Sequence, residues 1–231
     1  MVFDVNKHKF FMVQILKDIY SDIFLAGQLG FKGGTALMFF YDLPRFSVDL
    51  DFNLIDKEHA QDVYDKVEQI ISKYGKIKDS AIKRFGILHV LDYGAGHRNM
   101  KVEVSIRRFD DSYEVKDFLG INVRVMKEPD MFAHKLCALL DRSMMAGRDV
   151  FDCWFFMQKR TSINQEIVKS RTGLDLSEYL EKCIEAVLSF NVSSIMNGVG
   201  ELIDEQQRIF VRNRLKDETV SLMKMYQKFP L

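Results

Sequence analysis

The spacing of apolar residues changes along the chain, and each change marks an element. Over residues 9–25 the apolar positions Phe10, Val13, Leu16, Ile19, Tyr20 and Ile23 follow a helical period. FKGG then punctuates a turn, and TALMFFY predicts a short, largely buried helix. From 47 to 54 the period becomes two. Val48, Leu50, Phe52 and Leu54 alternate with Ser47, Asp49, Asp51 and Asn53, which predicts a half-buried strand. A helix follows over 58–74, from the spacing of Ala60, Val63, Val67, Ile70 and Ile71. Residues 87–93 and 100–106 read as two strands of a hairpin around GAGHRN, and 121–126 as a further extended piece. Beyond Pro129 the pattern is helical throughout, in stretches near 130–145, 148–159, 163–171, 176–190, 193–205 and 206–228. The expected fold class is therefore α+β. A mixed α/β unit over 1–128 precedes a helical unit over 129–231.

Composition narrows the class without choosing a function. Of 231 residues, 47% are hydrophobic and 29% charged, enough for a packed core. Lys plus Arg and Asp plus Glu both number 33, which excludes a strongly basic coat but not a local basic patch. Cys137, Cys153 and Cys183 are far apart and form no CxxC pair, so a disulfide framework or structural zinc site is not expected. No uncharged run approaches the roughly 20 residues of a membrane span. The opening MVFDVNKHKFFMVQ has charges where a signal peptide needs an apolar stretch. The cytosol is the expected compartment, with no membrane partner.

The candidate chemistry begins at Gly33-Gly34-Thr35. Two glycines allow a tight turn close to a ligand, and Thr35 could cap the following helix. Free N–H groups at a helix start suit phosphates. By itself such a turn is usually only a turn. Asp49 and Asp51, two apart on a strand, point to one face. Side by side they repel unless a cation neutralises them, and Mg²⁺ or Mn²⁺ shared with phosphate is the natural partner. The bland alternative is a solvated strand face. Glu103 supplies a third carboxylate if its strand lies beside the first; pattern alone equally allows a surface residue paired with Lys101. Arg45 and Ser47, just before the strand, could touch nucleotide phosphates, or Arg45 could only pin its loop.

At these residues the sequence resembles the AbiEii/AbiGii toxin family of nucleotidyltransferases, in the DNA-polymerase-β-like superfamily. The shared blocks are Gly33 to Leu37, Arg45 to Ser47 and Asp49 to Phe52. Further blocks fall on Lys135, Ala138 and Arg142, and on Arg148, Asp149 and Asp152, with Glu103 at the third acidic position. The resemblance covers 30 to about 157. It implies a nucleotidyltransferase-type sheet followed by helices that complete an active-site cleft, and transfer of a nucleoside monophosphate from an NTP. The acceptor it implies is a tRNA 3′ end, in a toxin–antitoxin or phage-defence setting with a cognate antitoxin. A protein acceptor and an inactive binding partner are the alternatives. On the helix near 130–145, Lys135 lies at the margin of a core stripe and could present its ammonium to phosphates. Asp152 is the better polar cleft candidate and Asp149 the more architectural one. The segment RIFVRNRLK gathers Arg208, Arg212, Arg214 and Lys216, a solvated face that could also meet an RNA backbone.

Overall fold

The computed structural model describes residues 4–94, 98–141, 144–191 and 194–229. These divide into two compact units, one of residues 1–42, 47–108 and 113–126, the other of 43–46, 109–112 and 127–231.

The first unit is a mixed sheet with helices. Helix α1 (Val5–Ser21) starts where the Asp4 carboxylate accepts the Lys7 N–H at 3.0 Å. It stops at Asp22, whose carboxylate accepts the Leu25 N–H and opens α2 (Ile23–Gln28). The single helix expected over 9–25 is thus two. Its predicted stripe is also partly wrong: Met12, Ile15, Leu16 and Ile19 are buried, whereas Phe10 and Ile23 are 57% and 92% exposed. Next come β1 (Leu29–Lys32), α3 (Gly33–Phe40), β2 (Leu50–Leu54) and α4 (Ala60–Ile71). The unit closes with β3 (Lys76–Lys83), β4 (Gly86–Asp92), β5 (Met100–Ser105), β6 (Tyr113–Phe118) and β7 (Ile121–Met126).

Strand order is β3-β4-β5-β2-β1-β7-β6. β4 and β5 pair antiparallel, as the expected hairpin requires, and residues 95–97 of its GAGHRN turn lie outside the described residues. β2 pairs antiparallel with β1 but parallel with β5. One face of the sheet is core: Phe31, Leu50, Phe52, Leu54, Val102 and Val104 are almost fully buried. Helix α1 covers it through Tyr20 on Phe52, and α4 through Tyr64 on His89. The other face carries the polar residues of β2 and β5.

The second unit is helical: α5 (Glu128–Asp141), α6 (Gly147–Gln158), α7 (Gln165–Thr172), α8 (Leu176–Ser189), α9 (Glu205–Asn213) and α10 (Leu215–Lys228). Phe132 of α5 stacks on Phe156 of α6 at 4.9 Å, with buried Tyr226 of α10 edge-on to Phe132. Cys137, Cys153 and Cys183 are buried free thiols. Two expectations fail here. The helix over 193–205 is replaced by turns among the described residues, where Gly198 takes φ +75°. The helix over 206–228 breaks at Arg214, between α9 and α10. Among the described residues no helix is long and apolar enough to cross a membrane.

Candidate active site

The parallel pairing of β2 and β5 sets Asp51 opposite Glu103 in register. With Lys32 opposite Asp51 and Leu88 opposite Glu103, a row Lys32–Asp51–Glu103–Leu88 crosses four strands on the polar face. Adjacent strands lie about 4.8 Å apart, so the two carboxylates are immediate neighbours. Asp51 is half-buried and Glu103 exposed.

Asp49 is placed differently. The strand begins at Leu50, three residues later than the expected start at Ser47, and Asp49 sits in the extended approach. Its Oδ1 accepts the Lys101 N–H at 3.2 Å, and its backbone carbonyl accepts the Thr35 hydroxyl at 2.5 Å. Thr35 therefore does not cap α3, which has no side-chain cap; buried in its first turn, it fastens the turn to the Asp49 segment. The turn also touches the carboxylates directly. Gly33 adopts φ +80°, and a Cβ there would fall on the Asp51 carboxylate. Gly34 is buried inside α3, and Ser47 is half-buried ahead of β2.

Oxygen donors of this kind suit a hard divalent cation. The register brings Asp51 and Glu103 together, while Asp49 is turned onto the Lys101 amide. Among the described residues no three His, Cys, Asp or Glu side chains stand together as a preformed metal cluster.

A cleft of about 580 Å³ opens over this face, and both Asp51 and Glu103 line it. It is also lined by the tip of the β3–β4 hairpin, Lys83, Arg84 and Phe85, by Arg107, and by Lys101. Phe85 is 50% exposed. The Arg84 and Arg107 guanidinium carbons lie 4.9 and 4.5 Å from its ring centroid.

The remaining predicted site residues meet inside the helical unit. Arg45 belongs to the 43–46 segment, tied there by the Phe46 N–H donating to the Leu202 carbonyl at 2.7 Å. Its Nε and Nη2 donate to the two Asp152 oxygens at 2.6 and 2.7 Å, and Nη1 to the Phe46 carbonyl. Lys135 Nζ lies 2.7 Å from Asp152 Oδ2. Burial alone would raise the Asp152 pKa, but the Arg45 and Lys135 charges outweigh it and hold the carboxyl at about 2. Asp152 is fully buried, so the structure makes it a counter-ion joining two cations and not a group open to solvent. Arg45 and Lys135 supply that neutralisation, and Arg142 lies outside the described residues. Asp149 is buried on the same helix, in keeping with an architectural place.

Comparison with known proteins settles the relationship that these motifs suggest. The sequence pattern of the family described as nucleotidyl transferase AbiEii toxin, type IV TA system, matches residues 14–229. The chain belongs to the AbiEii toxin family. It is thus a nucleotidyltransferase-family toxin of a type IV toxin–antitoxin system. The match includes the helices after residue 157, where no motif was legible. Two Helicobacter pylori crystal structures share the fold. A candidate nucleotidyltransferase is 22% identical with a TM-score of 0.61, over 97% of this chain and 95% of that one. JHP933 is 22% identical with a TM-score of 0.57, over 97% and 92%. No curated protein matches significantly.

Within this AbiEii-family chain Arg212 and Arg214 are exposed, as a solvated face requires. Of the RIFVRNRLK group, Arg208 binds the Gly200 carbonyl and Glu205, Arg214 pairs with Glu218, and Lys216 donates to the Leu188 and Phe190 carbonyls. These are pairings within the chain at its surface. The hairpin tip passed unnoticed, although its KRF run, three residues rich in charge and π surface, was its signal.

Proposed function

We propose that the chain transfers a nucleoside monophosphate from an NTP to an RNA 3′ end, with tRNA the expected acceptor and Mg²⁺ or Mn²⁺ the cofactor. The supporting observation is Asp51 beside Glu103 on adjacent parallel strands, against the Gly33 turn. Asp51 and Glu103 would hold the metal, with Asp49 as the third donor. When bound, the ion would neutralise charge on the phosphates and the attacking oxygen. The Gly33-Gly34 turn offers backbone N–H groups to the phosphates. Lys135 and Arg45 are assigned to the nucleotide by motif, as are Thr35 and Ser47, and Asp152 fixes the positions of the two cations. The acceptor hydroxyl oxygen bonds to the α-phosphorus, the bond to the α–β bridging oxygen breaks, and pyrophosphate leaves with that electron pair. The hydroxyl proton passes to the Glu103 carboxylate, the more exposed of the pair. A cognate antitoxin is the expected partner in the cell.

The test is incubation of the protein with each NTP labelled at the α-phosphate, Mg²⁺, and separate RNA and protein fractions. Label in RNA is expected. Label in protein alone would replace the RNA acceptor with a side-chain hydroxyl, and no label in either would overturn the reading.

A further inference from the structure

We infer that the β3–β4 hairpin tip is the docking surface for the unpaired 3′ strand of the RNA acceptor, with Phe85 as a base-stacking platform. This rests on the nucleotidyltransferase reading and extends it to a surface that the shared motifs do not touch.

The composition of the tip points first to nucleic acid. The chain has no net charge, yet Lys83 and Arg84 at the tip and Arg107 just beyond β5 gather on one cleft. Among the described residues no carboxylate forms an ion pair with Lys83, Arg84 or Arg107. Lys101 pairs with Glu103 at 3.9 Å, but the three cations Lys83, Arg84 and Arg107 around an exposed aromatic ring carry no carboxylate partner among the described residues and so present two complements at once. The cations suit a phosphodiester backbone, and the ring suits a base. The Arg84 and Arg107 guanidiniums lie over the Phe85 ring, so a base stacks there by exchanging with one of them and gains their charge beside its phosphates. Gly86, next in the chain, lets the tip lie close on β5, since a Cβ there would stand 2.7 Å from the Val104 carbonyl.

Position chooses acceptor over nucleotide. The Gly33 turn lies on the β1 side of Asp51, whereas the hairpin tip lies on the β4 side of Glu103, two strand spacings or about 10 Å from β2. Nucleophile and leaving group occupy opposite sides of the phosphorus in transfer. With the leaving phosphates at the turn, the acceptor hydroxyl arrives from the hairpin side. An unpaired strand fits this cleft because each of its bases can turn a face to Phe85, whereas a duplex offers only the outer face of its terminal pair.

The probe is a fluorescein-labelled 12-nucleotide unstructured RNA, read by anisotropy at several salt concentrations with the full chain, beside a blunt RNA duplex of equal length. Phe85→Ala is expected to weaken single-strand binding about 5- to 150-fold, and Phe85→Trp to restore it. Arg107→Gln is expected to lessen the salt slope by about 0.7. Melting temperature and NTP affinity should be unchanged, because the ring is half exposed and off the phosphate turn. Equal affinity for duplex, unchanged RNA affinity in Phe85→Ala, or a loss confined to NTP affinity would each overturn the proposal. The two levels separate in a parallel transfer assay. Wild-type labelling of RNA with an unchanged KM for RNA in Phe85→Ala defeats the docking surface alone. Single-strand binding that responds as described, with no transfer to any acceptor, defeats the transferase reading and leaves the surface standing.

Discussion

Asp152→Asn removes one negative charge from the interior of the helical unit and leaves two cations facing each other. Asp152 is fully buried and Arg45 only 5% exposed, so water cannot replace the lost carboxylate. The structure sets the magnitude. A carboxyl with a pKa of about 2, against 3.8 when unfolded, stabilises the fold by about 2–3 kcal/mol at neutral pH. Because the folded pKa is the lower, this stabilisation is present in full above pH ~4 and is lost as the pH falls toward 2. About half remains at pH 3. Trp154, the single tryptophan and two residues along the same helix, reports unfolding of this unit. Urea titrations of wild type and Asp152→Asn, followed by its fluorescence at pH 7, 5 and 3, should differ by about 2–3 kcal/mol at the first two and by about half that at the last. A difference below about 1 kcal/mol at pH 7, or one that does not shrink with acid, refutes the buried triad as a source of stability.

Two further outcomes follow from the same geometry. Gly33→Ala forces an L side chain into φ +80°, costing about 1–2 kcal/mol, and pushes its Cβ onto the Asp51 carboxylate; differential scanning fluorimetry should show a lower melting temperature and the labelled-NTP assay a loss of transfer, while wild-type values in both would return the turn to a mere connection. Lys135→Met keeps the Arg45–Asp152 pair, so melting should shift little while the transfer rate at saturating NTP falls roughly 10²–10³-fold; a rate within a few-fold of wild type assigns Lys135 to the ion triad alone.

Elements were legible in the sequence where burial was one-sided. Val48 to Leu54 and Met100 to Ile106 alternate because one face packs on helices and the other meets solvent. The strands that escaped notice are β1, β3 and β6. β3 and β6 are the two edges of the sheet, and their KIKDSAIK and YEVKDF runs lack a buried face, so no apolar period marks them. β1, four residues long, ends in the FKGG run that reads as a turn. The single N-terminal helix split because Asp22 is a cap within an apolar period, a local bond that periodicity cannot register. At the site, Asp51 and Glu103 were legible as residues but not as neighbours, since the parallel pairing of β2 with β5 joins segments about 50 positions apart. The Arg45–Asp152 pair spans 107 positions, and nothing local distinguishes an arginine destined for a nucleotide from one destined for a buried aspartate.

The most direct test of the central claim compares transfer of α-labelled nucleotide to RNA by wild type and Asp51→Asn, each with its melting temperature. Neutralising one of two adjacent carboxylates relieves their repulsion, so Asp51→Asn should melt no lower than wild type. Transfer should fall to the level seen without protein. A folded Asp51→Asn variant that labels RNA at the wild-type rate would contradict the account, because the Asp51–Glu103 pair would then have no part in the chemistry.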